Sequence, residues 1–289
     1  MEHRKIQVVG NRSYSISLPK KWVIANNLKE KDLLFLEEIN NKILVKTSDN
    51  LEKNNSKISV RVNDIDDVGG FIIFCYVKSI NNIKFIFKKF DTAKRREIIS
   101  IIKFLEGYEI TNENEKEIEI SFLFKNINID INTIIKRMKS LLIMMLDSIK
   151  EKDFKSTEEI EQNIDSLYHL SRRILFKCSK NSILSMENNI KNGEDIFFYL
   201  TIFRRIEKIA DHIFKIRNEN FSENDFKLLD NFLSEIDLLL SGKRKNFQKE
   251  IVLKSKNKLI QKKLVKIENV LEDMVHDVNF IKLNKKFFN

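Results

Sequence analysis

Apolar and polar residues alternate at the start of the chain, and a helical period takes over further on. "RKIQVV" (4–9) and "YSISL" (14–18) alternate as half-buried strands do, with a turn at Gly10-Asn11 between them. Pro19 then opens a short helical turn, "PKKWVIANN". "DLLFLEEI" (32–39) and "KILVKT" (42–47) meet at Asn40-Asn41 as a second hairpin. The pattern predicts a β-rich unit over 1–48 with four short strands and one turn of helix. So few short strands enclose little core, which predicts pairing with a second copy.

A polar linker, "DNLEKNNSK" (49–57), follows. Residues 58–125 mix strand patterns ("ISVRV", "IKFIFKKF", "EIEISFLF") with a helix from about Thr92 to Glu106 that Gly107 ends. The apolar run 66–78 admits strand by residue type and helix by length. From about 127 the period is helical throughout. Successive stripes run through Ile134–Met138–Leu141–Met145–Ile149, Ile160–Ile164–Leu167–Ile174–Cys178, Leu200–Phe203–Ala210–Phe214, Phe226–Leu229–Phe232–Ile236–Leu240 and Ile260–Leu264–Ile267–Leu271–Met274–Val278. Polar breaks separate them, one of them from Asn181 to Asn192. The expectation is an α+β chain with a β-rich head (1–48), a small α/β domain (58–125) and an antiparallel helical bundle (127–289).

Composition agrees: one proline and six glycines in 289 residues leave little room for loops. Cys75 and Cys178 stand apart, as expected in a reducing cytoplasm. The apolar runs "FIIFCYV" and "LLIMML" are too short for a membrane span, and no signal peptide pattern opens the chain. Net charge is +10, a balance suited to nucleic acid or an anionic surface. Residues 1–21 carry Arg4, Lys5, Arg12, Lys20 and Lys21 against Glu2, and residues 242–266 carry ten lysines or arginines against Glu250. In that second stretch the lysines spread around the helix and read as a solvated surface.

On a wheel of about 100° per residue, Glu207 falls inside the apolar stripe centred on Phe203, and Asp211 on its edge. Glu161 and Asp165 repeat that i, i+4 spacing on the preceding helix. A carboxylate facing a core demands a partner. Four oxygens from two helices suit a hard cation, and ion pairs with Arg172, Arg204 or Arg205 satisfy the same spacing. Asp273 and Asp277 fall away from the stripe of the last helix and read as solvated. His212 reads as structural. The chain has no GxGxxG, GxxxxGK, GxSxG, CxxC or Glu-x-x-His pair, so no enzymatic chemistry is expected.

"RKIQVVGNRSYSISLPKKWVIANNLKEKDLLFLEE" resembles the SpoVT/AbrB-type swapped-hairpin domain: strand, glycine turn, strand into a Leu-Pro basic corner, short helix, then the turn "KEKD" into a second hairpin. Lys31 stands where that family has glycine. The resemblance implies an interlocked homodimer that binds DNA through Arg4, Lys5, Arg12, Lys20 and Lys21. "EQNIDSLYHLSRR" (161–173) and "RIEKIADH" (205–212) resemble the PhoU phosphate-uptake regulators, helical bundles whose E/D-x-x-x-D motifs hold metal ions. Here that implies divalent or iron-type metal at Glu161, Asp165, Glu207 and Asp211. Archaeal proteins that join both parts through a small middle domain are similar from end to end, and they imply helix for 66–78. The function implied is cytoplasmic, DNA-binding regulation of phosphate uptake, with transporter or sensor subunits as further partners. The alternative is a PhoU-like adaptor whose head only dimerises. An AbrB-type antitoxin is disfavoured, because those end in a short disordered tail.

Overall fold

The structure, a computed structural model, describes residues 3–10, 13–39, 42–47, 57–124, 130–241 and 255–287. The chain is α+β and divides into two compact units, 1–55 and 56–289.

In the first unit, β1 (Gln7–Val9) pairs antiparallel with β2 (Ser13–Ser15), and Gly10 takes φ +66° at the turn, where a side chain would be strained. Both strands are shorter than predicted. Pro19 caps α1 (Lys20–Ala25) with φ −62°, and its carbonyl accepts from Val23 N–H at 3.1 Å. The turn after α1 is closed by Asp32, whose carboxylate accepts from Lys29 N–H at 2.6 Å. Lys31 takes φ +72° there, a left-handed backbone conformation that glycine adopts without strain and a lysine does not. β3 (Leu34–Ile39) and β4 (Lys42–Thr47) pair antiparallel, with Leu36 opposite Val45. Thr47 alone among the described residues of this unit is buried.

The second unit begins with a four-stranded sheet. β5 (Lys57–Arg61) runs parallel to β6 (Asn82–Ile86), and α2 (Val68–Val77) is the crossover between them. α3 (Thr92–Ile102), β7 (Tyr108–Glu113) and β8 (Glu117–Phe122) follow, and the sheet order is β5-β6-β8-β7. α2 resolves the ambiguous run as helix. Asp67 caps it, accepting from Gly70 N–H at 2.8 Å. The residues it buries, Val68, Ile72, Cys75 and Tyr76, keep helical spacing inside an all-apolar run. At Gly69 a Cβ would come 2.6 Å from Ile101 Cδ1, so glycine lets α2 approach α3. Ile83, Phe85, Ile98, Ile118 and Ile120 fill the core between sheet and helices. The sequence pattern missed β7; it is set by Gly107, which turns the chain with φ +88° just before Tyr108.

The helical region comprises α4 (Ile131–Lys150), α5 (Phe154–Cys178), α6 (Ser182–Glu187), α7 (Gly193–Phe214), α8 (Glu223–Leu240) and α9 (Lys258–Phe287). Asp130, Asp153, Asn192 and Ser222 cap α4, α5, α7 and α8 by accepting from backbone N–H groups of the first turn. α5 packs between α4 and α7, and α9 packs on α7 and α8. The predicted stripes become one core around Met138, Ile164, Phe203, Phe232 and Leu271. α6 lies inside the predicted break. Its end is fixed by Asn188, which accepts from the Ile131 N–H at 3.0 Å and so ties the turn to the start of α4.

Candidate functional site

The basic residues of the first unit lie around its proline corner. Pro19 cannot donate to a ladder and fixes φ, so it sets the start of α1. Lys20 and Lys21 are the first two residues of that helix and are exposed. Arg4 and Lys5, also exposed, precede β1. Arg12 lies outside the described residues. No acidic residue stands in the first turn of α1.

The apolar side chains of the same unit are open. Val8 is 69% exposed, Leu36 71% and Leu33 81%. Exposed apolar faces of this kind mark an interaction surface. A protein-family model described as "Antidote-toxin recognition MazE, bacterial antitoxin" matches residues 7–52. The first unit is a MazE/AbrB-like domain. That match covers the head and none of the second unit. No curated protein and no solved structure matches the chain. MazE/AbrB-like domains commonly bind DNA and dimerise, so the head supports a DNA-binding regulator type. Among the described residues, no helix is long and apolar enough to cross a membrane.

The second candidate site lies where α5 packs on α7. The structure brings all four predicted carboxylates into one electrostatic neighbourhood. Burial pushes Glu161 up to about 7, and Asp165, Asp211 and Glu207 add to the rise. Burial, then Asp211, raises Asp165 to about 6. Glu207 rises to about 7 through burial, with Asp211 and Asp165 contributing. Asp211 forms an ion pair with Lys215 one turn on. Glu161 and Asp165 also line a cavity of about 270 Å³ with His169 and with Ile73, Ile101, Phe104 and Leu105 from α2, α3 and the turn after it. Burial, and then Arg172, lower His169 to about 4, so its imidazole is neutral at pH 7.

Ion pairing does not account for Glu207. Arg205 turns away to Asp273 (2.6 Å) and Asp277 (2.5 Å) on α9. Arg172 lies over the Tyr168 ring at 5.4 Å. Arg204 lowers the proton affinity of Glu207 but makes no ion pair with it among the described residues. This corrects one prediction: Asp277 is not solvated but 7% exposed, because Arg205 reaches across from α7 to neutralise it. For a metal, the donor chemistry fits, since the four groups are oxygen donors that repel one another when ionised. The positions fit less well: among the described residues, no three His, Cys, Asp or Glu side chains converge as a metal-holding group. Of the basic stretch 242–266, residues 242–254 lie outside the described residues. In the part described, Lys263 and Lys266 stand near His212, whose proton affinity is lowered first by burial and then by these two lysines.

One residue with a clear role was not singled out from the sequence. Arg173 is fully buried where α5 meets the sheet. Its guanidinium donates to the Tyr76 carbonyl at 2.5 Å and to Asn81 Oδ1 at 3.0 Å. It lies 3.8 Å from the Phe122 ring and 4.9 Å from Tyr76. A signal for it existed: Glu161, Asp165, His169 and Arg173 form an unbroken i+4 row along α5, too regular for a solvated face on a helix buried on several sides.

Proposed function

We propose that this chain is a cytoplasmic, homodimeric DNA-binding regulator of phosphate uptake, with the helical region as its sensor. The observation that carries the DNA-binding part is the MazE/AbrB-like head, with Lys20 and Lys21 exposed on a proline-fixed corner and no acidic residue in the first turn of α1. Arg4, Lys5, Arg12, Lys20 and Lys21 would contact DNA phosphates and grooves. The phosphate part draws support from the PhoU-like runs 161–173 and 205–212, which lie on helices packed side by side. In that reading Glu161, Asp165, Glu207 and Asp211 hold a hard or iron-type metal ion, which would neutralise their mutual repulsion. No catalytic step is assigned.

Gel shifts on the promoters of phosphate-transport genes test the DNA reading. Lys20→Ala/Lys21→Ala should weaken binding and flatten its salt dependence; full-length wild type loses roughly 10³-fold or more between low and moderate salt if six or more phosphates are contacted. Unchanged affinity and slope would leave the alternative, an adaptor that docks on a transporter or sensor while the head only dimerises. The family described by the matching model is a bacterial antitoxin, and the large folded second unit argues against that role here. Metal content of purified wild type against Glu207→Gln/Asp211→Asn tests the metal; equal content, or none in either, removes it.

A further inference from the structure

The lysines that follow α2 and end α5 stand among aromatic rings rather than carboxylates. Lys78 Nζ lies 5.6 Å from the Phe74 ring and 5.1 Å from Phe176. Lys180 Nζ lies 4.5 Å from Phe176. Lys177 Nζ lies 5.7 Å from Phe122, which meets Phe124 edge-on at 5.8 Å. Among the described residues, none of these three lysines makes an ion pair. Two of the rings are open to solvent: Phe74 is 55% exposed and Phe124 51%. Arg173 lies directly behind Phe122 at 3.8 Å and adds a further positive charge.

This strip combines two features that seldom occur together on a solvated surface: cations without counter-ions and exposed flat rings. Cation–π contact holds each ammonium in place at a cost well below that of an ion pair, and leaves its charge unneutralised. A complementary ligand carries regularly spaced negative charge and flat apolar groups. Single-stranded nucleic acid has both, since phosphates take the lysines and unstacked bases take the rings. Duplex DNA hides its base faces, and an acidic peptide offers no series of flat groups. We propose that Lys78, Lys177 and Lys180, with Phe74 and Phe124, form a second nucleic-acid contact, specific for single strands. It stands on the second unit and does not depend on the head binding DNA.

The test uses the full chain carrying Lys20→Ala and Lys21→Ala, so that the head's contribution is removed. Fluorescence anisotropy follows binding of a labelled oligothymidine of about 12 nucleotides, a length suited to one such site, across a salt series. Its duplex and inorganic polyphosphate serve as competitors. The single strand should bind at least about tenfold tighter than the duplex. Lys78→Gln/Lys177→Gln/Lys180→Gln should lower the salt slope by about 2, at about 0.7 for each phosphate no longer neutralised. Because Lys177 is partly buried, Lys78→Gln/Lys180→Gln is the safeguard against misfolding, with an expected drop of about 1.4. Phe74→Ala/Phe124→Ala should weaken binding about tenfold or more with the slope kept, as loss of stacking requires. The proposal is overturned by absence of binding, by an unchanged slope in both lysine variants, by phenylalanine variants that bind like their parent, or by duplex or polyphosphate competing as well as the single strand. Gel shifts of the head variants decide the head reading separately.

Discussion

Two antiparallel strand pairs show how differently the two units treat the same chemistry. In the head, Leu36 stands opposite Val45 on β3–β4, and Leu36 is 71% exposed. In the second unit, Phe85 stands opposite Ile118 on β6–β8, and both are fully buried. Local pattern and pairing are alike, so cross-strand contact does not decide burial. What differs is the layer above. α2 and α3 cover β6 and β8, while no described element of the head covers β3 and β4 to the point of burying an apolar side chain. The second unit closes a core over its sheet, and the described residues of the head leave their apolar side chains open.

The widest separation between the two comes from one acidic substitution in each. Ile118→Asp buries an unpaired carboxylate in a sealed core and should cost more than about 4 kcal/mol, seen as loss of the second unit's cooperative thermal transition. Leu36→Asp should leave that transition in place, convert the dimer to monomer in sedimentation, and lower DNA affinity by about 10²-fold or more as two-headed binding gives way to one-headed binding. A Leu36→Asp protein that stays dimeric would sink the idea that the open faces of the head pair with one another.

Next in size is the joint between sheet and bundle. Arg173→Ala removes a large side chain from a packed site together with two hydrogen bonds, and should cost about 3 kcal/mol in chemical denaturation. Arg173→Met keeps most of the volume and should recover more than half of that loss, because hydrophobic replacements of buried charge are often tolerated. If Met costs as much as Ala, the charge over Phe122 matters more than the packing.

The contrast also shows what a single sequence makes legible. Alternation and helical periodicity gave the order of strands and helices, and the carboxylates of α5 and α7 were found from their wheel positions. Arg173 and Asp277 were not, because each is made buried by a partner far along the chain: Asn81 and Tyr76 for the first, Arg205 for the second. Periodicity reports which face of one element is apolar, and says nothing of which polar residue a neighbouring element will neutralise. α6 was missed for a related reason, since the hydrogen bond that ties its end to α4 joins Asn188 to Ile131, 57 positions away.

Smaller still is a dependence on pH. Glu161, Asp165 and Glu207 hold protons more tightly when folded than when unfolded. The stability they supply is therefore complete below about pH 4 and falls as pH rises towards 7. His169 acts oppositely, since its proton affinity is lowered on folding; its contribution is complete above its ordinary value near 6.5 and fades as pH falls towards 4. The comparison that isolates the carboxylates is Glu161→Gln/Glu207→Gln against wild type. The variant's advantage in melting temperature should be larger at pH 8 than at pH 5, and manganese should raise wild type alone if the metal reading holds. An advantage that does not change with pH would mean that the two side chains are neither desolvated by burial nor crowded by their acidic neighbours.

The smallest effect returns to the head. Lys31 sits at φ +72°, where a Cβ crowds the backbone. The turn is nonetheless closed in the ordinary way by Asp32, which accepts from Lys29 N–H. Lys31→Gly should stabilise the head by about 0.5–1 kcal/mol, the strain relieved less the greater freedom glycine gives the unfolded chain. The gain belongs to the head alone, so the second unit's transition should not move. It is read by repeating the chemical denaturation with Trp22, the chain's only tryptophan, as the fluorescent reporter on α1. A loss of stability would show that the lysine side chain contributes more to the turn than its backbone strain costs.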